Sequence, residues 1–390
     1  MHNKKSYFWY MNYITFSEEQ QSVQAAAKDF AEKELLSGVI DRDNQQIFPT
    51  DQIAKLGQLG FLGMMVDPKY GGGGLDAVSY VLALEEICKI EAAVGTIMSV
   101  NNSLVCWGLE RFGNEMQKEK YLNPLAKGTV IGAFCLSEPE AGSDATAQKT
   151  TAIDCGDHYL LNGTKNWISN GQSATYYLVM AQSDPSKKHK GINAFILEKG
   201  MPGLMIGKKE DKMGIRSSDT HSIMFQDVKV PKENRIGEEG FGFTFAMKAL
   251  NGGRLGIAAQ AVGIAKGALE RSIAYTKERS SFNKKISEHQ GIQFKLAEMA
   301  TKVETAQLIT LKAAQLKDAN GDYAQASAMA KLYASDVAMS VTTDAVQIHG
   351  GYGYVKEFHV ERMMRDAKIT EIYEGTSEIQ KIIIARQLLK

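Results

Sequence analysis

Neither sign of charge is in excess. Lys and Arg number 45 and Asp and Glu 45, so no net field draws this chain toward nucleic acid or an anionic membrane, and any polyanionic ligand must be met by a local patch. Cysteine is scarce: Cys88, Cys106, Cys135 and Cys155 lie far apart without a C-x-x-C pair. A chain of 390 residues buries ample apolar surface without staples, so this usage argues against a disulfide framework or zinc ribbon and fits a reducing, cytoplasmic setting. The seven histidines show no H-E-x-x-H or H-x-H spacing, which leaves a catalytic metal without support. Long apolar runs are missing as well. The longest charge-free stretch, Ala92 to Leu109, is interrupted by Thr96, Ser99, Asn101, Asn102 and Ser103, groups that a lipid-facing helix struggles to satisfy, and no transmembrane span is expected. Internal repeats and low-complexity segments are absent.

What is present divides into stretches of different texture, and the length suggests about two to four units. Residues 1–12 read as a disordered leader. Lys4, Lys5 and the cluster Tyr7-Phe8-Trp9-Tyr10 imitate a signal peptide, but no small-residue cleavage site follows, and Met11 is the expected natural start. Residues 13–129 read as a helical domain. Ser17-Glu18-Glu19-Gln20 has the spacing of a capping box ahead of a helix-like run from Val23 to Leu36, with turns at Pro49, Pro68 and Gly71 to Gly74. That glycine run has no strand before it and lacks the spacing of a dinucleotide fingerprint, so it reads as a loop. Residues 130–235 change to short β-prone runs, Thr175 to Ala181, Ile192 to Leu197 and Ser222 to Val230, separated by turn residues. Over residues 236–390 helical periodicity returns. Ile292, Leu296, Met299, Val303, Ala306, Ile309 and Ala313 recur at three-and-four spacing, as do Ala330, Ala334, Val337, Val341, Ala345 and Ile348. The expected class is α+β, mainly α: a helical domain, a β-domain and a helical bundle.

Four segments carry candidate chemistry. In Phe134-Cys135-Leu136-Ser137-Glu138-Pro139-Glu140-Ala141-Gly142-Ser143 a short strand runs into a turn whose amides and hydroxyls can meet a polar planar ligand; a plain strand end is the competing reading. In Lys165-Asn166-Trp167-Ile168-Ser169 an indole can stack on an aromatic ring while Ser169 donates a hydrogen bond, or the indole is simply core. In Tyr373-Glu374-Gly375-Thr376-Ser377-Glu378 a carboxylate stands beside a glycine and ahead of a helix that Thr376 or Ser377 can cap; otherwise Glu374 is a solvated helix-start glutamate. Arg279-Ser280-Ser281-Phe282 with Gln290 offers a guanidinium suited to phosphate, and Gln347-Ile348-His349-Gly350-Gly351 a glycine-rich helix end where backbone can meet a pyrophosphate.

Together and in this order these segments resemble the acyl-CoA dehydrogenase family over nearly the whole chain, from about Met11 to Lys390. The resemblance implies an N-terminal helical domain, a middle β-domain, a C-terminal four-helix bundle, FAD as cofactor and a homotetramer built as a dimer of dimers. It implies that Phe134, Leu136, Ser137, Trp167 and Ser169 hold the isoalloxazine, and that Arg279, Phe282, Gln290, Gln347, Gly350 and Gly351 hold the adenosine diphosphate part, partly across a subunit interface. Thr376 and Glu378 match positions bordering FAD. Glu374 matches the catalytic base that takes the α-proton, with Gly375 beside the substrate. Some relatives place the base on the first long bundle helix, and Leu250-Asn251-Gly252-Gly253-Arg254 offers no carboxylate there. Ser143 and Arg254 match CoA-binding positions, while Asn251 stands where relatives often carry Asp. Ser99-Val100-Asn101-Asn102-Ser103-Leu104 looks like the short-chain, butyryl-CoA-type members, and Gly95 replaces the arginine of glutaryl-CoA enzymes. The implied partners are a short-chain acyl-CoA and electron-transfer flavoprotein. The alternatives are a branched-chain enzyme, an oxidase, or a flavin-bearing nucleic-acid binder, the last opposed by the zero net charge.

Overall fold

The computed structural model describes residues 15–390; the leader expected over residues 1–12 lies outside them. Helix α1 (Glu18–Phe30) starts at the expected capping box, in which Ser17 Oγ accepts from the Gln20 amide at 3.1 Å and Gln20 Oε1 accepts from the Ser17 amide at 3.0 Å. The glycine run is a loop, as its spacing indicated. Gly71 and Gly74 have φ of +84° and +62°, a conformation that side chains disfavour. Helix α2 (Ala77–Ile90) follows, with Asp76 Oδ1 accepting from the Ser79 amide at 2.7 Å.

Helix α3 (Ala92–Phe112) has the length and composition to cross a membrane, yet 94% of its most apolar window is buried inside the protein. Its polar residues are satisfied internally. Asn101 Nδ2 donates to the Leu62 carbonyl at 2.8 Å and Asn102 Nδ2 to the Phe61 carbonyl at 2.8 Å. It is a core helix, and the asparagines that interrupted the apolar run fasten it to the loop before α2.

The β-domain is an eight-stranded sheet: β1 (Gly132–Cys135), β2 (Thr151–Asp154), β3 (His158–Ser169), β4 (Tyr176–Gln182), β5 (Ile192–Glu198), β6 (Leu204–Lys209), β7 (Thr220–Pro231) and β8 (Arg235–Ile236). The order is β6-β7-β3-β2-β4-β5-β8, with β1 parallel to β4. One face packs within the domain through Tyr159, Val179, Phe195 and Ile223. The other contributes Phe134, Leu178, Met180 and Ile196 to a core shared with α3 and with α4 (Gly242–Glu278).

Helix α4, of 37 residues, joins the sheet to the bundle completed by α5 (Gln290–Asp318) and α6 (Ala324–His349). Short helices α7 (Val360–Ile369) and α8 (Ser377–Leu388) pack against α6. Leu255, Ile257, Val262 and Ile264 of α4 are fully or almost fully buried, each contributing about 1.5–3 kcal/mol. An ion pair sits in the same interior, Lys266 Nζ to Glu85 Oε2 at 2.5 Å, with Gln307 Nε2 donating to the same oxygen at 2.7 Å. Among the described residues no group of three or more His, Cys, Asp or Glu is placed to hold a metal ion.

Candidate active site

Helix α7 ends at Ile369 and α8 begins at Ser377, capped by Thr376 Oγ1, which accepts from the Ile379 amide at 3.4 Å. The short connection between them turns through two successive left-handed residues, Glu374 at φ +54° and Gly375 at φ +95°. Glycine adopts this conformation freely and glutamate does not, which marks residue 374 as held by its surroundings. The clamps are visible. Gln380 Nε2 donates to the Gly375 carbonyl at 2.8 Å and to the Glu374 carbonyl at 3.4 Å, and Lys331 Nζ of α6 donates to the Gly375 carbonyl at 2.7 Å.

Residue 374 as a whole is half-buried, but its Oε2 is sealed from solvent and has no hydrogen-bond partner among the described residues. The solvated helix-start reading is thereby set aside. The carboxylate lies against α4 at Gly253: a methyl group built there would stand 1.7 Å from Oε2 and 2.9 Å from Leu104 Cδ2 of α3. Burial pushes the Glu374 carboxyl up to about 7, opposed by the charges of Lys331 and Arg254. Arg254 is buried, with Nη1 donating to Asn251 Oδ1 at 2.5 Å and Nε left without a partner. Burial draws its guanidinium below the usual arginine range. An unpaired, desolvated carboxylate flanked by cations that do not touch it has the properties of a general base.

A second group of residues lies on the β-domain. The Leu136–Glu138 turn is pinned to β3 by the buried Lys165, whose Nζ donates to the Leu136 carbonyl at 3.0 Å, Glu138 Oε1 at 2.7 Å and Gln148 Oε1 at 3.1 Å. Glu138 also accepts from the Thr150 amide at 3.0 Å. Burial opposes ionisation of Glu138, but the Lys165 charge and these donors outweigh it and hold the carboxyl below its ordinary range. Between Lys165 and Ile168 the pairing of β3 with β7 slips, and Trp167 adopts φ +62°. This bulge re-aims the indole. Trp167 is 62% exposed, so it is not the core tryptophan of the alternative reading. Ser137 and Ser169 are partly exposed, with hydroxyls that make no hydrogen bond among the described residues. Phe134 stands behind them, stacked on Phe245 of α4 at 6.2 Å. Ser143 is exposed on the loop leading to β2.

A third group lies at the far end of α4. Arg279 caps the helix, and with Gly350, Gly351, Tyr352 and Tyr275 it lines an open pocket of about 560 Å³. Its guanidinium lies over the Tyr352 ring at 5.4 Å. Phe282 tips the adjacent two-stranded hairpin, 89% exposed at φ +51°. Gln290, the first residue of α5, and Gln347, in the last turn of α6, are both exposed.

The structure thus brings Glu374, Gly375, Thr376, Asn251 and Arg254 together, sets Phe134, Leu136 and Ser137 beside the segment of Trp167 and Ser169, where the Asn166 amide donates to the Ser137 carbonyl at 2.9 Å, and places Arg279, Gly350 and Gly351 apart in their own pocket. Glu378 lies exposed in the first turn of α8. Sequence reasoning missed Lys331, Gly253 and Gln380. Two signals were available: paired glycines inside a long helical run, and a lysine on the stripe Ser327, Lys331, Ala334, Ala338, Val341, Ala345, every member of which is buried.

Comparison with known proteins agrees with the domain order and overall fold. The acyl-CoA dehydrogenase N-terminal, middle and C-terminal domain profiles match residues 17–129, 133–228 and 240–389. The short-chain specific acyl-CoA dehydrogenase of Clostridium acetobutylicum is 48% identical over 377 residues, 97% of this chain and 100% of the relative. The structure of butyryl-CoA dehydrogenase from Megasphaera elsdenii superposes with a TM-score of 0.95 at 49% identity, covering 97% of this chain and 100% of that one. A chain solved in work on the electron transferring flavoprotein of Acidaminococcus fermentans and flavin-based electron bifurcation superposes at 0.96, with 51% identity over 97% of this chain and 99% of that one. With helical, sheet and bundle domains in this order, each matched by the corresponding profile, the chain belongs to the acyl-CoA dehydrogenase family.

Proposed function

We propose that this acyl-CoA dehydrogenase desaturates short-chain acyl-CoA thioesters of the butyryl type to trans-2-enoyl-CoA, with Glu374 as the base. The observation that carries this is the unpartnered, buried Oε2 of Glu374. A carboxylate in a salt bridge is already committed, whereas this one is desolvated, raised to about 7 and free to accept a proton. The Glu374 amide also donates to no group among the described residues. One residue therefore supplies both an acceptor for the α-proton and a donor for the thioester oxygen, where enolate charge develops. The short-chain relatives support the substrate class.

FAD is the cofactor, and when bound it would supply the hydride acceptor for the β-hydrogen. The residues present suit it: Trp167 offers an exposed ring face, and Ser137 and Ser169 offer uncommitted hydroxyls. The Lys165 clamp keeps the two segments in register. Reoxidation by electron-transfer flavoprotein is supported by the Acidaminococcus fermentans neighbour.

A homotetramer, as a dimer of dimers, is the assembly the family resemblance implies, and the length of α4 favours a cofactor site shared between two copies. Its 37 residues span roughly 55 Å at the α-helical rise. Phe245 near its start abuts the ring-side strand and Arg279 caps its end. Arg279 thus lies roughly 50 Å along α4 from Phe245, a separation that favours an Arg279 pocket serving the cofactor of a second copy.

The test is Glu374→Gln measured across acyl-CoAs of increasing length. The variant is expected to keep yellow, bound flavin and to lose nearly all dehydrogenation, while wild-type flavin bleaching peaks at four carbons. Undiminished turnover in the variant, or a maximum at eight carbons, refutes the base or the substrate class respectively.

A further inference from the structure

Lys331 is the one buried cation on the inner stripe of α6, and its ammonium is fully out of water. Burying an ammonium is expensive unless its charge is used. Its hydrogen bond goes to a neutral group, the Gly375 carbonyl at 2.7 Å, and that oxygen already accepts from Gln380 Nε2 at 2.8 Å. A second donor is redundant for satisfying the carbonyl. What Lys331 adds that Gln380 cannot is charge, placed directly behind the left-handed turn that carries Glu374.

We propose that Lys331 is a positioning residue for the base: it locks the Glu374–Gly375 turn through the Gly375 carbonyl, and its field keeps the Glu374 carboxylate ready to accept a proton without binding it. This rests on the reading of Glu374 as the base.

The surroundings of both groups support that division of labour. Lys331 faces Glu374, Glu371 and Glu378 from the α7–α8 connection and the start of α8, and Arg254 from α4. Glu374 faces Lys331, Arg254, the neighbouring Tyr373 hydroxyl and the Tyr80 hydroxyl of α2. Burial draws Lys331 down to about 8, with Glu374 the largest opposing influence. Neither Lys331 nor Arg254 forms an ion pair with Glu374 among the described residues; Oε2 has no partner. A direct salt bridge would tie up the base, and the loss of both cations would leave a desolvated carboxyl that stays protonated at neutral pH. A cation held one peptide away by a carbonyl avoids both outcomes.

The experiment compares Lys331→Met, Lys331→Gln and Lys331→Arg with wild type and Glu374→Gln as holoenzymes. The readouts are bound-flavin absorbance and the pH profile of kcat/KM for butyryl-CoA with an artificial electron acceptor. Removing the charge in the Met and Gln variants is expected to move the acid limb up by about one pH unit, a loss of about tenfold below the wild-type midpoint. The Gln variant, which keeps a donor, recovers more of the high-pH plateau than Met, and Arg keeps the limb close to wild type. Flavin-replete Met or Gln variants whose limb coincides with wild type overturn the proposal. So does an Arg variant that shifts as far as Gln, and so does loss of flavin in all three, which would make Lys331 a folding residue. Activity in Glu374→Gln refutes the base assignment itself, whereas an inactive Glu374→Gln beside an unmoved limb refutes only the role of Lys331.

Discussion

Gly253 shows how much of a site can rest on a side chain that is missing. A glycine in the middle of a helix costs about 1 kcal/mol relative to alanine, so α4 itself gains from Gly253→Ala. The gain is outweighed at the site, because the new methyl would stand 1.7 Å from Glu374 Oε2 and 2.7 Å from its Cδ, and the carboxylate must swing away. Displacing a reacting group by about 1 Å can cost on the order of 100-fold in rate. Gly253→Ala is therefore expected to keep its flavin and melt within a few degrees of wild type, with kcat reduced on the order of 100-fold; a rate within threefold of wild type contradicts the contact.

Among the elements, the bulge in β3 does the corresponding work for the sheet. Its exposed indole is useful only if the neighbouring turn is fixed, and that turn is held by one buried pair, Lys165 with Glu138. Removing one partner of a buried pair leaves an uncompensated charge and destabilises by about 3–5 kcal/mol, whereas removing both can be nearly neutral. Lys165→Met should accordingly lower the melting temperature and weaken flavin retention, and Lys165→Met with Glu138→Gln should recover most of the stability, as differential scanning calorimetry can show. The sequence held the motif around Trp167 but not its direction, because a left-handed residue inside a strand leaves no trace in an alternating pattern. Periodicity did expose what is local: the Ser17–Gln20 cap, the loop at Gly71 to Gly74, and the stripes of α5 and α6. Lys331, Gln380 and Gly253 escaped because each owes its role to a partner distant along the chain or to a turn whose conformation the sequence does not spell out.

At the level of the whole molecule, the order helical, sheet, bundle was readable from composition, while the separation of Arg279 from the ring-side strand was not. That separation follows from the unbroken length of α4. Phe282, at the tip of the hairpin beside Arg279, is nearly as exposed as a side chain can be, and on the proposed reading it meets the cofactor of a second copy. On the proposed reading, Phe282→Asp is expected to shift the species seen by analytical ultracentrifugation toward smaller forms and to weaken FAD affinity, with little change in secondary structure by circular dichroism.

Helix α8 has a single buried residue, Gln380, and that residue is also the clamp on the carbonyls of Glu374 and Gly375. A helix with so little anchorage in the interior is thus tethered at the turn that carries the proposed base. A pull, a bulky fusion or a proteolytic nick beyond Leu388 acts on a helix whose one buried side chain also holds that turn, so reporters and surface attachments belong elsewhere on this molecule.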